Sequence, residues 1–400
     1  MPQQSHRHLR TLAAGTLAAL GPAAACSGQV LTGPVEITAD VPEQAGVAVE
    51  VVLEGLERPW GMVWLPSGDM LITERPGALR LVKDGELQLE PVEGLPRDLV
   101  ATGQGGLMDI SLHPDFENNR FVYLTYSAGS RDANRTNIAR ATFDGQRLND
   151  ADVIFSVNRV KSGGQHFGSR ILWLPDGTML VSIGDGGNPP VKYDGEFIRN
   201  QAQHTNSHLG KVLRLNDDGS PADGNPYTDD PDAAHEVWSF GHRNIQGLAR
   251  DPDTGAIYAN EHGANGGDEL NRIEPAVNYG WPIATYSREY WGPRISDRVE
   301  AAGMRDPLVV WTPCIAPSGL LFYTGDDFPE WRGDLLSSGL VSEQVRRTKV
   351  QSGEPAGETK ITIGKRVRHV LQGPDGGLYL LTDEQAGQLL KLVPAPASDE

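Results

Sequence analysis

From about residue 50 onward the chain alternates apolar runs with clusters of turn residues. Six times an apolar run of strand length meets a turn rich in Pro, Asp and Gly, and a second apolar run follows. The copies are GMVWLPSGDMLITE (61–74), LMDISLHPDFENNRFVYLTYS (107–127), SRILWLPDGTMLVSIGD (169–185), GLARDPDTGAIYANEHG (247–263), GLLFYTGDDFPEWRGDLLSSGL (319–340) and RHVLQGPDGGLYLLTD (368–383). Each copy carries the signature of a β-hairpin. No amphipathic stretch of 12 or more residues at helical spacing stands between them. A β-sandwich needs no such repetition, whereas a ring of similar units does. The prediction is an all-β fold, a six-bladed β-propeller with four-stranded antiparallel blades, at roughly 60 residues per unit with long inserts in some blades. The stretch AVEVVL (48–53) is placed as the strand that closes the ring with the last blade. In such a ring, loops from distant parts of the chain converge on one face around the axis, and the chemistry is expected there.

Composition narrows the function. The 400 residues carry 35 basic and 53 acidic side chains, a formal charge of −18. An acidic surface repels phosphate backbones, which argues against nucleic acid as a partner. Gly at 47 and Pro at 28 copies suit many tight turns. The basic residues are 27 Arg and 8 Lys, so most positive charge is in a form suited to bidentate anion contacts. There is no Walker loop, no GxGxxG after a strand, no HExxH and no GxSxG. Nucleotide-cofactor, zincin and α/β-hydrolase chemistry therefore lack support.

Residues 1–26 read as a secretory signal: Arg7 and Arg10, a small-residue apolar stretch from Leu12 to Leu20, then Ala23-Ala24-Ala25 before Cys26. Cys26 stands where a lipoprotein attachment site would put it. Two readings stay open, a lipid anchor to the membrane through Cys26 and simple cleavage. Either makes the protein exported and periplasmic, free or anchored to the outer membrane. Residues 27–45 are polar with Pro and Gly and read as a flexible tether, and residues 46–395 as the propeller domain. Cys26 and Cys314 are the two cysteines, so the fold is not a disulfide framework.

Several loop segments carry candidate chemistry. His166, in GGQHFG, lies on a glycine-rich loop before the third hairpin and could serve as a general base or as a structural hydrogen-bonder. Arg243, in GHRN, offers a planar fork of donors to an oxyanion or carboxylate, or to a surface ion pair. The stretch EHGANGGDE (261–269) offers carboxylates and carbonyls to a hard cation such as Ca²⁺, or is a turn with solvated acids. Arg366 and Arg368 fall on one face of a strand by alternation and invite an anionic partner. Gln104, in GQGG, sits in a flexible loop before the second hairpin.

Taken together these segments resemble the soluble, pyrroloquinoline quinone (PQQ)-dependent glucose/aldose sugar dehydrogenase family. The resemblance runs in family order over roughly residues 50–393, through GQGGLMDISLHPDF, QHFGSRILWLPDGTMLVSIGDGG, NQAQHTNSHLGKVLRLNDDGS, SFGHRNIQGLA, EHGANGGDELNRIEPAVNYGWP, IAPSGLLFYTG and RVRHVLQGPDGGLYLLTD. It implies a propeller carrying PQQ and Ca²⁺ on its axial face. By motif, it implies that His166 takes the proton from the anomeric hydroxyl while hydride passes from the sugar C1 to the quinone C5. Arg243 would stabilise the developing oxyanion. Asn244, Gln104, Arg366, Arg368 and Thr382 would hold the cofactor. The carbonyls of Gly263 and Ala264 would bind Ca²⁺, with Asp268 and Glu269 in the same loop or at a second Ca²⁺ site. The substrate implied is an aldose sugar oxidised to its lactone, with electrons passing to a periplasmic acceptor.

Three positions depart from the family pattern. Gln165 stands before the base where glucose-specific members carry an acid, which places the chain nearer the aldose branch. Val341 stands where a cofactor-pairing Lys is usual, with Arg346 or Arg347 as candidate replacements. Cys314 replaces a hydroxyl residue near the cofactor and is read as a packing substitution. Two rivals follow. One oxidises another sugar aldehyde such as sorbosone. The other is a non-catalytic carbohydrate- or protein-binding propeller that has lost its cofactor.

Overall fold

The computed structural model describes residues 35–38 and 40–396. The readings on residues 1–26, Cys26 included, lie outside the described residues, as do residues 27–34. The rest forms the predicted ring of six blades, each a four-stranded antiparallel sheet in its core. The innermost strands are Pro59–Trp64, Leu107–Leu112, Ile171–Trp173, Ile245–Arg250, Pro317–Phe322 and Val367–Gln372, taken in order as blades one to six. Among the described residues helix is confined to short segments, such as Phe116–Asn119 and the 3₁₀ stretch Ile198–Gln203. Among the described residues no helix is long and apolar enough to cross a membrane.

The apolar runs are explained by position within a blade. The second strands Met70–Glu74, Met179–Ile183, Ile257–Glu261 and Leu335–Gly339 are buried at every residue, because neighbouring blades cover both faces. Leu71, Leu79, Leu107, Val122 and Leu124 pack together between blades one and two in this way. The Pro-Asp-Gly turns repeat one geometry. In blade three the amide of Leu174 donates to the carbonyl of Thr178, with Gly177 at φ +81°. In blade six Gly373 donates to Gly377, with Gly376 at φ +80°. Glycine meets that left-handed backbone without a Cβ penalty.

The N-terminal segment closes the ring, and more. Strand Val47–Leu56 pairs antiparallel with Gly387–Pro394 as the outermost strand of blade six, as the run 48–53 predicts. Part of the expected tether is structured. Val35–Ile37 adds a parallel fifth strand to blade four against Val309–Trp311. The chain then crosses blade five, where Asp40 pairs with Lys360 at 2.7 Å and Glu43 accepts from the amide and hydroxyl of Thr362. Polar composition here serves docking rather than flexibility, since these side chains bond the outer strand Glu354–Thr362. The segment is a strap over three blades.

The axis is filled by side chains. Arg170 and Asp109 form a buried salt bridge at 2.8 Å. The second Asp109 oxygen accepts from the Ile171 amide at 2.8 Å, and Arg170 Nε donates to the Gln246 carbonyl at 3.0 Å. Arg170 also donates to His369 Nε2 at 3.2 Å and lies over Trp60, 4.4 Å from the ring centre. Three other inner strands carry glycine at the axis. A Cβ on Gly61 would sit 2.9 Å from Asp109 Oδ1, and one on Gly319 would sit 2.7 Å from the His369 ring. A Cβ on Gly247 would meet Leu320 at 2.6 Å. Asp109→Ala would leave Arg170 buried without its counter-charge. Urea denaturation of this variant is expected to show a loss of about 3–5 kcal/mol, the usual cost of breaking a buried pair. A loss below about 1 kcal/mol, the scale of an exposed pair, would show that the plug is not a structural tie.

Candidate active site

A cavity of about 540 Å³ opens above the plug, on the face where the loops converge. Its rim follows from a repeated backbone contact. In four blades the residue before the innermost strand accepts, at its carbonyl, a hydrogen bond from the residue after the second strand, and in blade two the donor to that carbonyl, Ser127, lies within the second strand, Phe121–Gly129. The donors and acceptors are Arg75 to Arg58 (3.1 Å), Ser127 to Gly106 (2.9 Å), His262 to Asn244 (3.3 Å), Leu340 to Ala316 (3.0 Å) and Asp383 to Arg366 (2.8 Å). Four of these five pairs line the cavity. The fold thus delivers equivalent positions of successive blades to one chamber.

His166 is buried beside this chamber with φ +51°, a left-handed conformation uncommon for a residue with a side chain. Its surroundings hold it there. Its amide donates to Gln104 Oε1 at 2.9 Å, and a Cβ on Gly184 would come within 2.3 Å of its carbonyl oxygen. His166 Nδ1 meets Asp185 Oδ1 at 2.6 Å. Asp185 also accepts from Gly187 N at 3.0 Å and from Trp281 Nε1 at 2.8 Å. A carboxylate on Nδ1 fixes the hydrogen there and leaves the Nε2 lone pair free to accept a proton. Burial, then the Arg243 charge, push the His166 pKa below its ordinary 6.5, while Asp185 pulls the other way.

Arg243 reaches the same place from blade four. Its amide donates to Glu261 Oε2 at 2.6 Å, and its NH1 donates to the carbonyls of Gly263 (2.6 Å) and His262 (3.1 Å). The guanidinium lies 5.3 Å from the Trp281 ring centre, and its Nε is buried without a partner. Asn188 bridges the two groups. Its Oδ1 accepts from Arg243 NH2 at 2.8 Å and its Nδ2 lies 3.4 Å from His166 Nε2. Asn244 lines the cavity, with Oδ1 accepting from the Gly168 amide at 3.1 Å.

Arg366 and Arg368 both line the cavity and share one carboxylate, Asp383, at 3.4 and 2.8 Å. The anionic partner invited by the two arginines is thus partly internal. Burial opposes ionisation of Asp383, but Arg368, Arg75 and Arg366 hold its carboxyl below the usual range. Thr382, by contrast, does not line the cavity. Strand alternation turns it inward, where Oγ1 accepts from the Gln388 amide at 2.9 Å, and its neighbour Asp383 faces the chamber.

The cation candidates separate in the same manner. Gly263, Ala264 and Asp268 line the cavity. Asp268 accepts from the amides of Gly263 and Ala316, both at 2.7 Å, and burial lifts its pKa to about 6. Glu269 points to the other side of the strand, partly buried beside Asn271 and Glu261, and desolvation there raises its pKa well above normal. Among the described residues no group of three or more His, Cys, Asp or Glu is arranged to hold a metal, so carbonyl oxygens would have to complete any cation site. Cys314 accepts from the Gly266 amide at 2.9 Å and donates to the Ala264 carbonyl at 3.5 Å. Burial and Asp268 raise its thiol to about 12, which keeps it protonated and unreactive.

Sequence reading missed Asp185, Asn188, Trp281, Gln246, Asp383, Arg58 and Arg75. The available signal for three of them was positional: Asp185, Asp383 and Arg75 each follow closely on a buried second strand, where the repeat would have pointed.

A glucose/sorbosone dehydrogenase family model matches residues 56–391. An uncharacterised protein of Synechocystis sp. is 56% identical over 372 residues, covering 90% of this chain and 89% of its own. The aldose sugar dehydrogenase YliI of Escherichia coli is 37% identical over 358 residues, covering 88% and 94%. Among solved structures, the PQQ-bound aldose sugar dehydrogenase of Streptomyces coelicolor superposes with a TM-score of 0.70 at 28% identity, covering 88% and 99%.

Replacing Asp185 by Asn removes the two influences by which it raises the His166 pKa. The imidazole, followed by NMR, is expected to titrate at still lower pH in Asp185→Asn. An upward shift would contradict the assigned pairing.

Proposed function

The chain belongs to the glucose/sorbosone dehydrogenase family, and on that premise we propose that it is an exported quinoprotein aldose sugar dehydrogenase, with His166 as general base and PQQ and Ca²⁺ as cofactors. The observation that carries the reading is the buried base beside a chamber walled by arginines. His166 keeps a free Nε2, Asp185 fixes its tautomer, and Arg243 stands one Asn188 side chain away.

The residues present fit a planar polyanionic cofactor. Buried Nε groups of Arg75, Arg243 and Arg368 have no partner within the protein. Such groups are costly unless a ligand completes them. Gln104, Asn244, Arg366 and Arg368 would hold the cofactor, and Asp383, rather than Thr382, keeps the two arginines oriented. The carbonyls of Gly263 and Ala264 suit a hard cation such as Ca²⁺, with Asp268 fixing the Gly263 peptide. The Gly263 carbonyl would exchange its Arg243 bond for the ion. Glu269 faces away and would serve only a separate site.

PQQ when bound would supply the two-electron acceptor that takes the C1 hydrogen as hydride. The protein's part is to take the hydroxyl proton at His166 Nε2. To do so, the sugar hydroxyl replaces the Asn188 amide between the imidazole and Arg243. The Arg243 guanidinium then faces the negative charge that develops opposite the base. Trp281 and Asp185 hold the two partners in register while this happens. The binding of sorbosone or another sugar aldehyde would use the same residues, so a substrate panel separates those readings.

Dye-linked glucose oxidation by the protein lacking residues 1–26 is expected to require both PQQ and Ca²⁺. His166→Ala is expected to lower kcat by about 10²–10⁴-fold, the usual share of a general base. Absence of activity across a panel of aldoses, with no PQQ bound, would move the binding-module reading to first place. The pH dependence follows from the sign of the His166 shift. A base whose pKa is lowered stays neutral further into acid, so kcat/KM is expected to hold through pH 6.5 and fall only below it. An acid limb above pH 6.5 would contradict this environment for the base.

A further inference from the structure

We infer that Arg58 and Arg75, on the rim of blade one, form a cation clamp for a carboxylate of the ligand bound in this cavity. The inference rests on the quinoprotein reading and extends it to residues that take the place of the lysine missing at position 341.

The repeated rim contact carries the argument. Blades one and six place their residues identically, with Arg75 donating to the Arg58 carbonyl as Asp383 donates to that of Arg366. In blade six the pair is Arg with Asp, and the two side chains neutralise each other at 3.4 Å. In blade one the pair is Arg with Arg. Among the described residues neither Arg58 nor Arg75 takes part in a salt bridge. Arg75 uses NH1 on the Gly103 carbonyl, and its Nε is buried with no partner. The Arg75 pKa is lowered first by burial and then by its cationic neighbours Arg368, Arg58 and Arg366, with Asp383 opposing. On this wall four guanidinium groups meet one carboxylate. Like charges are brought together at such a cost where an anion binds between them, and guanidinium groups suit carboxylates by their fork geometry.

The alternatives offered by the sequence are closed by the structure. Arg346 is tied to Glu358 at 3.0 Å and Arg347 to Asp334 at 2.7 Å, both buried on the strand Gln344–Gln351 and neither lining the cavity. Val341 lines the mouth and is 63% exposed, and it offers no charge. The cations nearest the chamber that remain uncommitted are therefore those of blade one.

The test is a titration of the apo protein with PQQ, without sugar, followed by quenching of tryptophan fluorescence. Wild type, Arg58→Gln, Arg75→Gln and the double variant are compared, with melting temperature before PQQ addition as the check on folding. Each single substitution is expected to weaken PQQ binding about tenfold or more, the scale of one charge-assisted contact. Val341→Lys in the double variant is expected to recover at least part of the loss, because it returns a cation to the same chamber. Arg75→Lys, which keeps the charge, is expected to lose less than Arg75→Gln. If Arg75→Gln does not fold, Arg58→Gln carries the decision, since the Arg58 side chain is partly exposed and forms no salt bridge among the described residues. Wild type that binds PQQ while folded Arg58→Gln binds it equally well, as does the double variant where it folds, would overturn the clamp and leave the quinoprotein reading standing. Wild type that does not bind PQQ would overturn both.

Discussion

The buried pair of Asp109 and Arg170 is the constraint on which the rest of the molecule depends. A charge taken out of water costs several kcal/mol unless its remaining bonding positions are met. Here most of them are met, from almost every side of the ring, with Arg170 NH2 left as the one buried nitrogen of the pair without a hydrogen-bond partner. Blade three supplies the amide of Ile171, blade four the carbonyl of Gln246, blade six the imidazole of His369 and blade one the face of Trp60. The pair therefore ties together elements that share no sheet. Glycines at 61, 247 and 319 leave room for it, since side chains there would collide with the plug or the next strand. Trp60, Gln246 and Arg368 belong to both plug and cavity lining, so the floor of the site is the top of the structural core.

On that floor the site is built by strain held in place. His166 adopts a conformation that costs of order 1 kcal/mol or more for a residue with a Cβ. Gln104, Asp185 and the close approach of Gly184 pin it. Asp185 in turn is fixed by Trp281 from the blade-four insert. A change in that insert would thus reach the base through a single hydrogen bond, without touching the imidazole. Asn188 shows the site at rest, since it satisfies both base and arginine with one amide that a hydroxyl can replace.

The fold was legible because a propeller is written in local signals: buried second strands read as continuous apolar runs, and each turn needs its glycine. His166, Arg243, Asn244, Gln104, Arg366 and Arg368 were legible through motif, and the structure gathers all six in or against one chamber. What stayed hidden depends on long-range placement. Thr382 and Asp383 differ by one step of strand alternation, and the member that lines the chamber is Asp383, which the sequence reading did not name. Asp268 and Glu269 divide in the same way. The strap over blades four and five was hidden because its partners lie some three hundred residues away and its polar side chains look like those of a tether. Arg58 and Arg75 carry no motif, and only the shared backbone contact shows that they stand where blade six puts Arg366 and Asp383.

The filled axis has a consequence for traffic. On the function proposed above, with the axis filled below, sugar, oxidised product and electron acceptor would all reach the chamber from the face where the loops converge. Were they to take turns there, turnover would divide into two half-reactions, the product leaving before the acceptor arrives, which is ping-pong kinetics. Sugar in excess would re-enter the vacated chamber and compete with the acceptor, so the same plug that stabilises the ring would make the enzyme inhibitable by its own substrate.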